Sequence, residues 1–303
     1  MARIELKTIE QLRWMRRAGL VVADIHASLR DAARPGVTTA ELDEVSAEAI
    51  RRNGATSNFL HYFGYPATVC ISVNDVLVHG IPGSQRLEAG DIVSFDCGAW
   101  VGQAGRQWHG DAAFTMVVGD PFISDADFAS GTRASGPAPA GVSEEVLRKR
   151  RELDAVTREA LWAALAGIAR GKRVSAVGAA VEEVVAARAL DFGWEAGIIE
   201  EYTGHGIGTA MHQEPEVLNF NARGISPRLK PGMALAVEPM LTTGSIETFT
   251  EDDEWTVRTE DGSDAAQWEH SIAILPDGVS VLTAADAGAA GLAPYGITPI
   301  SLD

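Results

Sequence analysis

Apolar positions along the chain switch between two periods. From Thr8 to about Ala33 they fall at Leu12, Met15, Leu20, Ile25 and Leu29, the spacing of an amphipathic helix. Pro35-Gly36 closes that stretch. Thr38, with Glu41 three residues on, reads as a capping box opening a second helix that ends near Gly54. The plan then recurs. Ser143 caps a long helix running through Leu165 to about Ala169, Gly171 follows, and Ser175 opens another that stops before Gly193. After each helix pair come short apolar runs bounded by Gly, Pro and Asn. Val69–Val73, Ile92–Phe95, Ala113–Val118, Ala234–Val237 and Ser271–Leu275 read as strands. Gly98–His109 holds several glycines and is expected to be a hairpin loop. Residues 121–142, rich in Ala, Gly, Ser and Pro from Ser130 on, read as a linker, and residues 284–303 as an Ala/Gly-rich tail without assigned chemistry.

The two helix–helix–strand blocks share more than their order. Leu87-Glu88-Ala89-Gly90 leads through an apolar run to Asp96, and Leu229-Lys230-Pro231-Gly232 leads the same way to Glu238. Asp111-Ala112-Ala113-Phe114-Thr115 aligns with Glu269-His270-Ser271-Ile272-Ala273, and His79-Gly80-Ile81-Pro82 resembles His205-Gly206-Ile207-Gly208. The chain is therefore expected to be one α+β domain over residues 1–303. Two pseudo-symmetric halves, about 8–120 and 143–283, would place helix pairs outside a curved antiparallel sheet. A twofold repeat is too short for a solenoid.

Composition narrows the function. A chain of 303 residues with 46% hydrophobic content can bury a large core, and a net charge of −17 argues against a nucleic-acid binder. No stretch of 18 apolar residues exists, so no membrane helix is expected. The start, Met1-Ala2-Arg3-Ile4-Glu5-Leu6-Lys7, lacks the apolar core of a secretory leader. Cys70 and Cys97 form no Cys-x-x-Cys, which excludes a thiolate zinc site and fits a reducing cytoplasm.

The candidate chemistry lies at the strand ends. A lone Asp96 there is more often a turn residue, but the matching Glu238 shifts the odds, because chance turn residues need no shared lead-in. Asp111 alone could close a hairpin, and Glu269 alone could sit on a sheet face. Together, Asp96, Asp111, Glu238 and Glu269 offer hard oxygen donors, and with one imidazole they suffice for two divalent ions sharing carboxylates. His205 sits among glycines that let backbone approach a site closely. His26, His61, His109 and His270 lack such context and read as structural or solvated.

Taken in order, these segments resemble the type I methionine aminopeptidases from roughly Thr8 to Thr283. The resemblance is carried by Gly64-Tyr65-Pro66, Asn74–Pro82, Ser94–Gly98, His109-Gly110-Asp111, Gly204–Gly208, Val237–Met240 and Gln267–His270. It implies a pita-bread fold and a hydrolase that removes the N-terminal methionine of nascent chains when the second residue is small. It implies Asp96, Asp111, His205, Glu238 and Glu269 as metal ligands, with Asp111 and Glu269 bridging two ions. Asp96 would hold one ion, His205 and Glu238 the other. The metal, among Mn, Fe, Co, Ni and Zn, stays open. His79 and His212 match substrate-contacting histidines, and Phe59, Tyr62, Tyr65, Cys70, Met211 and Trp255 align with the methionine pocket. Glu238 would shuttle a proton to the leaving amine, and His79 and His212 would steady the tetrahedral intermediate. The expected partners are methionyl N termini, with transient ribosome contact, no membrane and a monomeric enzyme.

The chain departs from that pattern by a longer Asp96–Asp111 interval, an insertion around Ala99–Gln107, a long linker, and Phe59 and Met211 in place of commoner residues. No zinc-finger or basic N-terminal extension and no type II helical insertion is expected. A prolidase or aminopeptidase P relative, or a non-catalytic homologue, is the alternative. The first usually carries an N-terminal domain that would place Asp96 later, and the second typically loses ligands.

Overall fold

Each of the first two helices begins at a capping box. Thr8 caps Ile9–Ala32 and Thr38 caps Thr39–Arg52. In both, the threonine hydroxyl accepts an N–H three residues on, whose side chain accepts the threonine N–H. The structure, a computed structural model, describes residues 4–224 and 226–303. Met1, Ala2 and Arg3, read above as part of a start without a leader core, lie outside the described residues. The second pair, Glu144–Arg170 and Ala176–Phe192, repeats the first, and Gly193 ends it in the left-handed conformation at φ 73°.

Both pairs cover strands. Ile92–Gln103 pairs antiparallel with Val69–Val73 on one side and Arg106–Val117 on the other. In the second half, Ala234–Val237 lies between Gly204–Gly206 and His270–Leu275. The expected loop over Gly98–His109 is a correction. Only the turn at Ala104-Gly105 is loop, and the flanking residues continue the ladder as far as Gln103↔Arg106. Gly98 is a close-approach glycine, since a Cβ there would meet Asn58 Nδ2 at 2.5 Å. Asp111 consequently sits inside a strand rather than ahead of one, and Asp96 lies inside Ile92–Gln103 rather than at a strand end.

The halves meet at a local twofold axis. Ala113 and Glu269 exchange backbone hydrogen bonds of 3.3 and 2.9 Å, the signature of an antiparallel pair related by a dyad. Asp96 pairs with Ala113, and Glu238 follows Val237, whose partner His270 follows Glu269. The axis thus relates Asp96 to Glu238, as expected. It corrects the other two matches. Glu269 has Ala113 as its mate and Asp111 has Gln267, while across the axis Asp111 faces Ser271, whose hydroxyl accepts the Asp111 N–H at 3.2 Å and donates to its carbonyl at 2.8 Å. His205 pairs with Ala236, the counterpart of Ser94, and Ser94 pairs with Ser72. Ser72, not His79, is therefore the mate of His205. His79 lies just beyond the strand Val76–Val78, at φ 59°.

Packing braces the strands that carry Asp96 and Asp111. Phe95 and Phe114 stack at 5.0 Å beneath the sheet, each completely buried, worth roughly 1.5–3 kcal/mol apiece. Helix Ile9–Ala32 lies directly on the strand beside Asp111, because a Cβ on Gly110 would come within 2.7 Å of Gly19 N. Residues 121–142 are more regular than expected. They contain the helix Asp125–Ala129, tied to the long helix by Arg158–Asp125 at 2.6 Å, and Arg151–Asp120, also at 2.6 Å, anchors the approach to it. The tail is anchored too, with Leu302 buried and Arg16 Nε donating to Asp303 Oδ1 at 2.9 Å.

Candidate metal centre

Asp96, Asp111, His205, Glu238 and Glu269 converge on one cavity of about 330 Å³. Asp96 and Asp111 come from the long hairpin, His205 from Gly204–Gly206, and Glu238 and Glu269 from the ends beside Ala234–Val237 and His270–Leu275. A larger cavity of about 590 Å³ lies under residues 120–136, lined in part by Phe122, Phe128 and Arg151, and contains no member of this cluster.

The cluster is electrostatically expensive as it stands. Burial lifts the Asp96 carboxyl to about 7, against a hydrogen bond from Gln267 that favours the charged form. Asp111, Glu238 and Glu269 are pushed well up, by burial first and then by neighbouring carboxylates. Asp96 Oδ1, Asp111 Oδ1 and Glu269 Oε1 are buried without a hydrogen-bond partner among the described residues. Bare buried carboxylate oxygens are costly unless a cation compensates them. One donor atom each from Asp111, His205 and Glu269 lies within 4.8 Å of the others.

His205 is set up as a neutral donor. Burial depresses it to about 3, and its Nδ1–H donates to the Gly206 carbonyl at 2.9 Å. That leaves Nε2 unprotonated, 3.6 Å from Glu238 Oε1. Oxygen-rich donors plus one imidazole match a divalent transition ion, so the residues present fit one.

The opposite wall is apolar. Phe59, Tyr65, Cys70 and Met211 are buried as one cluster, with Tyr62 and Trp255 packed against it. Strand register explains Cys70, whose cross-strand partner is Asp96, so the two side chains share a face. Burial keeps the Cys70 thiol protonated. Tyr65 turns its hydroxyl away to donate to Gly80 O at 3.0 Å, and its ring meets Trp255 edge-on at 5.1 Å.

His79 and His212 also line the cavity. The His212 ring lies 4.3 Å from that of His205, and its Nδ1 is 2.9 Å from Tyr62 Oη. With the tyrosine O–H donating, Nε2–H is the free donor. Burial lowers His79 to about 4, and its ring packs edgewise on Tyr202 and Trp255. Every residue expected from the sequence thus reaches one cavity. Sequence reasoning missed Phe63, Tyr202, Thr203 and Gln267, which line it as well. The signal was adjacency to the His205 motif for Tyr202 and Thr203, to Glu269 for Gln267, and to Tyr62 for Phe63. Of the histidines set aside, His26 Nε2 lies 3.0 Å from Ala112 O and His270 Nδ1 2.8 Å from Thr283 Oγ1, away from the cavity lining.

Comparison with known proteins places this geometry. Metallopeptidase family M24 matches residues 13–276. Methionine aminopeptidase 1 of Mycobacterium tuberculosis is 43% identical, over 90% of this chain and 92% of its own length. The crystal structure of a methionine aminopeptidase from Thermotoga maritima superposes with a TM-score of 0.77 at 32% identity, covering 93% of this chain and 99% of that one. A prolidase from Pyrococcus furiosus, at 19% identity and a TM-score of 0.61, covers 92% of this chain and 65% of that one, and shares the fold alone.

Proposed function

The chain belongs to metallopeptidase family M24, and within it to the methionine aminopeptidases; on that footing we propose that it removes N-terminal methionine from peptides and nascent chains with a small second residue. The observation that carries this reading is the facing of a four-carboxylate, one-histidine cluster across a single cavity by an apolar, sulfur-containing wall.

Asp96, Asp111, His205, Glu238 and Glu269 would hold two divalent ions. Bound there, the ions supply Lewis acidity, polarising the scissile carbonyl and acidifying the attacking water. The unbranched methionine side chain enters between Tyr65, Cys70 and Trp255. Tyr62 and Phe63, the latter 84% exposed, stand at the outer edge, where a bulky second residue would collide. Glu238, beside His205, accepts a proton at its carboxylate and returns it to the leaving amine. His79 and His212, both neutral near pH 7, donate an N–H to the developing oxyanion or to the peptide amide. The cytoplasm is the compartment this reading favours, with Cys70 and Cys97 free and buried.

The test is cleavage of Met-Ala-Ser, Met-Trp-Ser and Gly-Pro peptides by anaerobically purified protein supplied with Mn, Fe, Co, Ni or Zn in turn. Metal-dependent release of methionine from Met-Ala-Ser alone is expected. Equal rates on Met-Ala-Ser and Met-Trp-Ser, or preference for Gly-Pro, would count against it.

A further inference from the structure

Lys7 carries a charge that the site above does not use. Its side chain is 2% exposed, a rare state for an ammonium and a costly one unless it is paired. Its Nζ lies 3.5 Å from Glu5 Oε2 and donates to Gln213 Oε1 at 3.2 Å. Burial lowers it to about 8, opposed by the Glu5 charge. Glu5 in turn accepts the Thr209 N–H at 3.3 Å and the Thr209 hydroxyl at 3.1 Å. Gln213 Nε2 closes the ring by donating to Thr209 Oγ1 at 3.1 Å.

These contacts grip one segment at both ends. Thr209 and Gln213 are held by side chains of the N-terminal strap, and that strap is fixed by the Lys7 N–H donating to Gly232 O at 2.7 Å. Gly208 lies so close that a Cβ would meet Lys7 Cε at 2.3 Å and Glu5 Oε2 at 2.5 Å. Its carbonyl accepts the His109 N–H at 3.1 Å, two residues from Asp111. Between the gripped ends lie Ala210, Met211 and His212. The last two line the cavity, and Tyr62 holds His212 from the other side.

We propose that Lys7, together with Glu5, is a positioning residue that fixes segment 208–213 so that His212 and Met211 face the substrate. The proposal rests on the reading of His212 as a substrate-contacting group. The ammonium touches neither the cavity nor the metal cluster, so its influence runs through Gln213 and Thr209. An apolar side chain of similar length could fill the space without gripping either one.

The experiment is a double-mutant cycle in the metal-loaded enzyme. Wild type, Lys7→Met, His212→Ala and the double variant are compared on Met-Ala-Ser for kcat and KM, alongside metal content and thermal unfolding. Lys7→Met is expected to lower kcat/KM by about 10²-fold, the cost of a displacement of about 1 Å, with metal content unchanged. In the His212→Ala background the same substitution should cost less than about threefold, because interacting residues are not additive. Equal losses in both backgrounds, or wild-type kinetics for Lys7→Met, overturn the proposal. Full activity of His212→Ala overturns the assignment of His212, and this proposal with it, while leaving methionine release standing. Glu5→Gln keeps an oxygen for Thr209 but removes the charge facing Lys7. In the same two backgrounds it should behave in the same direction, which keeps the test decisive if Lys7→Met folds poorly.

Discussion

Removing the metal should convert the carboxylate cluster into a pH-dependent weakness of the fold. Asp96 sets the scale, with burial lifting it from 3.8 to about 7. The ion-free fold therefore loses stability on ionising this group. The sign follows from proton binding. A carboxyl with a raised folded pKa holds its proton more tightly in the folded chain, so stability is full below the unfolded value and falls as pH rises through the folded one. Asp96 loses its share between about 4 and 7. Asp111, Glu238 and Glu269, pushed well up by burial and by neighbouring carboxylates, lose stability in the same direction as pH rises. Buried His79, His109 and His270, each lowered to about 4, have the opposite slope, but it is spent below about pH 6.5. Lys7, lowered to about 8, adds stability as pH rises above that, equally with and without metal. The difference between metal-loaded and chelated protein isolates the cluster. From about pH 6.5 to about pH 8.5 the stability gained from saturating manganese should grow by about 1.4 kcal/mol per pH unit for each proton displaced. Urea unfolding with manganese and with chelator, across that range, measures it. A gain that stays flat or shrinks with pH would refute the reasoning, since it would mean that the metal displaces no proton from these carboxyls.

Three further outcomes are expected. His79→Ala should keep its metal content and lose about 10²–10³ in turnover, the usual loss for one oxyanion donor, whereas His205→Ala should weaken metal binding itself. Calorimetric metal titration beside kinetics at saturating metal separates them, and the reverse result would exchange their roles. Tyr62→Phe removes the hydroxyl 2.9 Å from His212 Nδ1 and should lower kcat/KM roughly fivefold at constant metal content, the worth of one ordinary hydrogen bond; unchanged kinetics would show that His212 needs no such support. Gly110→Ala pushes a methyl to 2.7 Å from Gly19 N and should cost about 1–3 kcal/mol in thermal unfolding, and an unaltered melting temperature would contradict the close packing of helix on strand.

The helices and the carboxylates were legible in the sequence for the same reason: each is a local pattern. Capping boxes at Thr8 and Thr38 state where a helix begins, and an apolar run ending in Asp96 or Glu238 states where a strand delivers a charge. Strand extent was not legible. Gly98, Gly102 and Gly105 read as loop, yet Gly98 is small because Asn58 presses on it, and Trp108 is fully buried within the ladder. Glycine records close approach as readily as a turn, and one sequence does not say which. The roles of Gln267 and Tyr202 escaped notice because each acts through a neighbour across the chain. Gln267 reaches Asp96 over a separation of more than 170 residues, and Tyr202 packs on His79.

Register also explains why repeated motifs do not make a duplicated site. The His-Gly-Ile likeness suggests two equivalent imidazoles, but pairing assigns His205 to the place of Ser72 and leaves His79 on a separate turn. The same axis sets Asp111 opposite Ser271 and Glu269 opposite Ala113. A strictly symmetric site would put carboxylates at Ala113, the mate of Glu269, and at Gln267, the mate of Asp111, giving six around one cavity. Four already raise one another's proton affinity through burial and mutual repulsion. Four negative charges would balance the two divalent ions proposed above, whereas six would leave an uncompensated buried surplus. Gln267 instead fills its place with a neutral amide, while Ser271 and its mate Thr115 spend their hydroxyls on the Asp111 and Gln267 backbones, bracing both strands without adding charge. Asymmetry between the halves is thus what the electrostatics of a shared cavity requires: the fold can be duplicated freely, but the charge cannot.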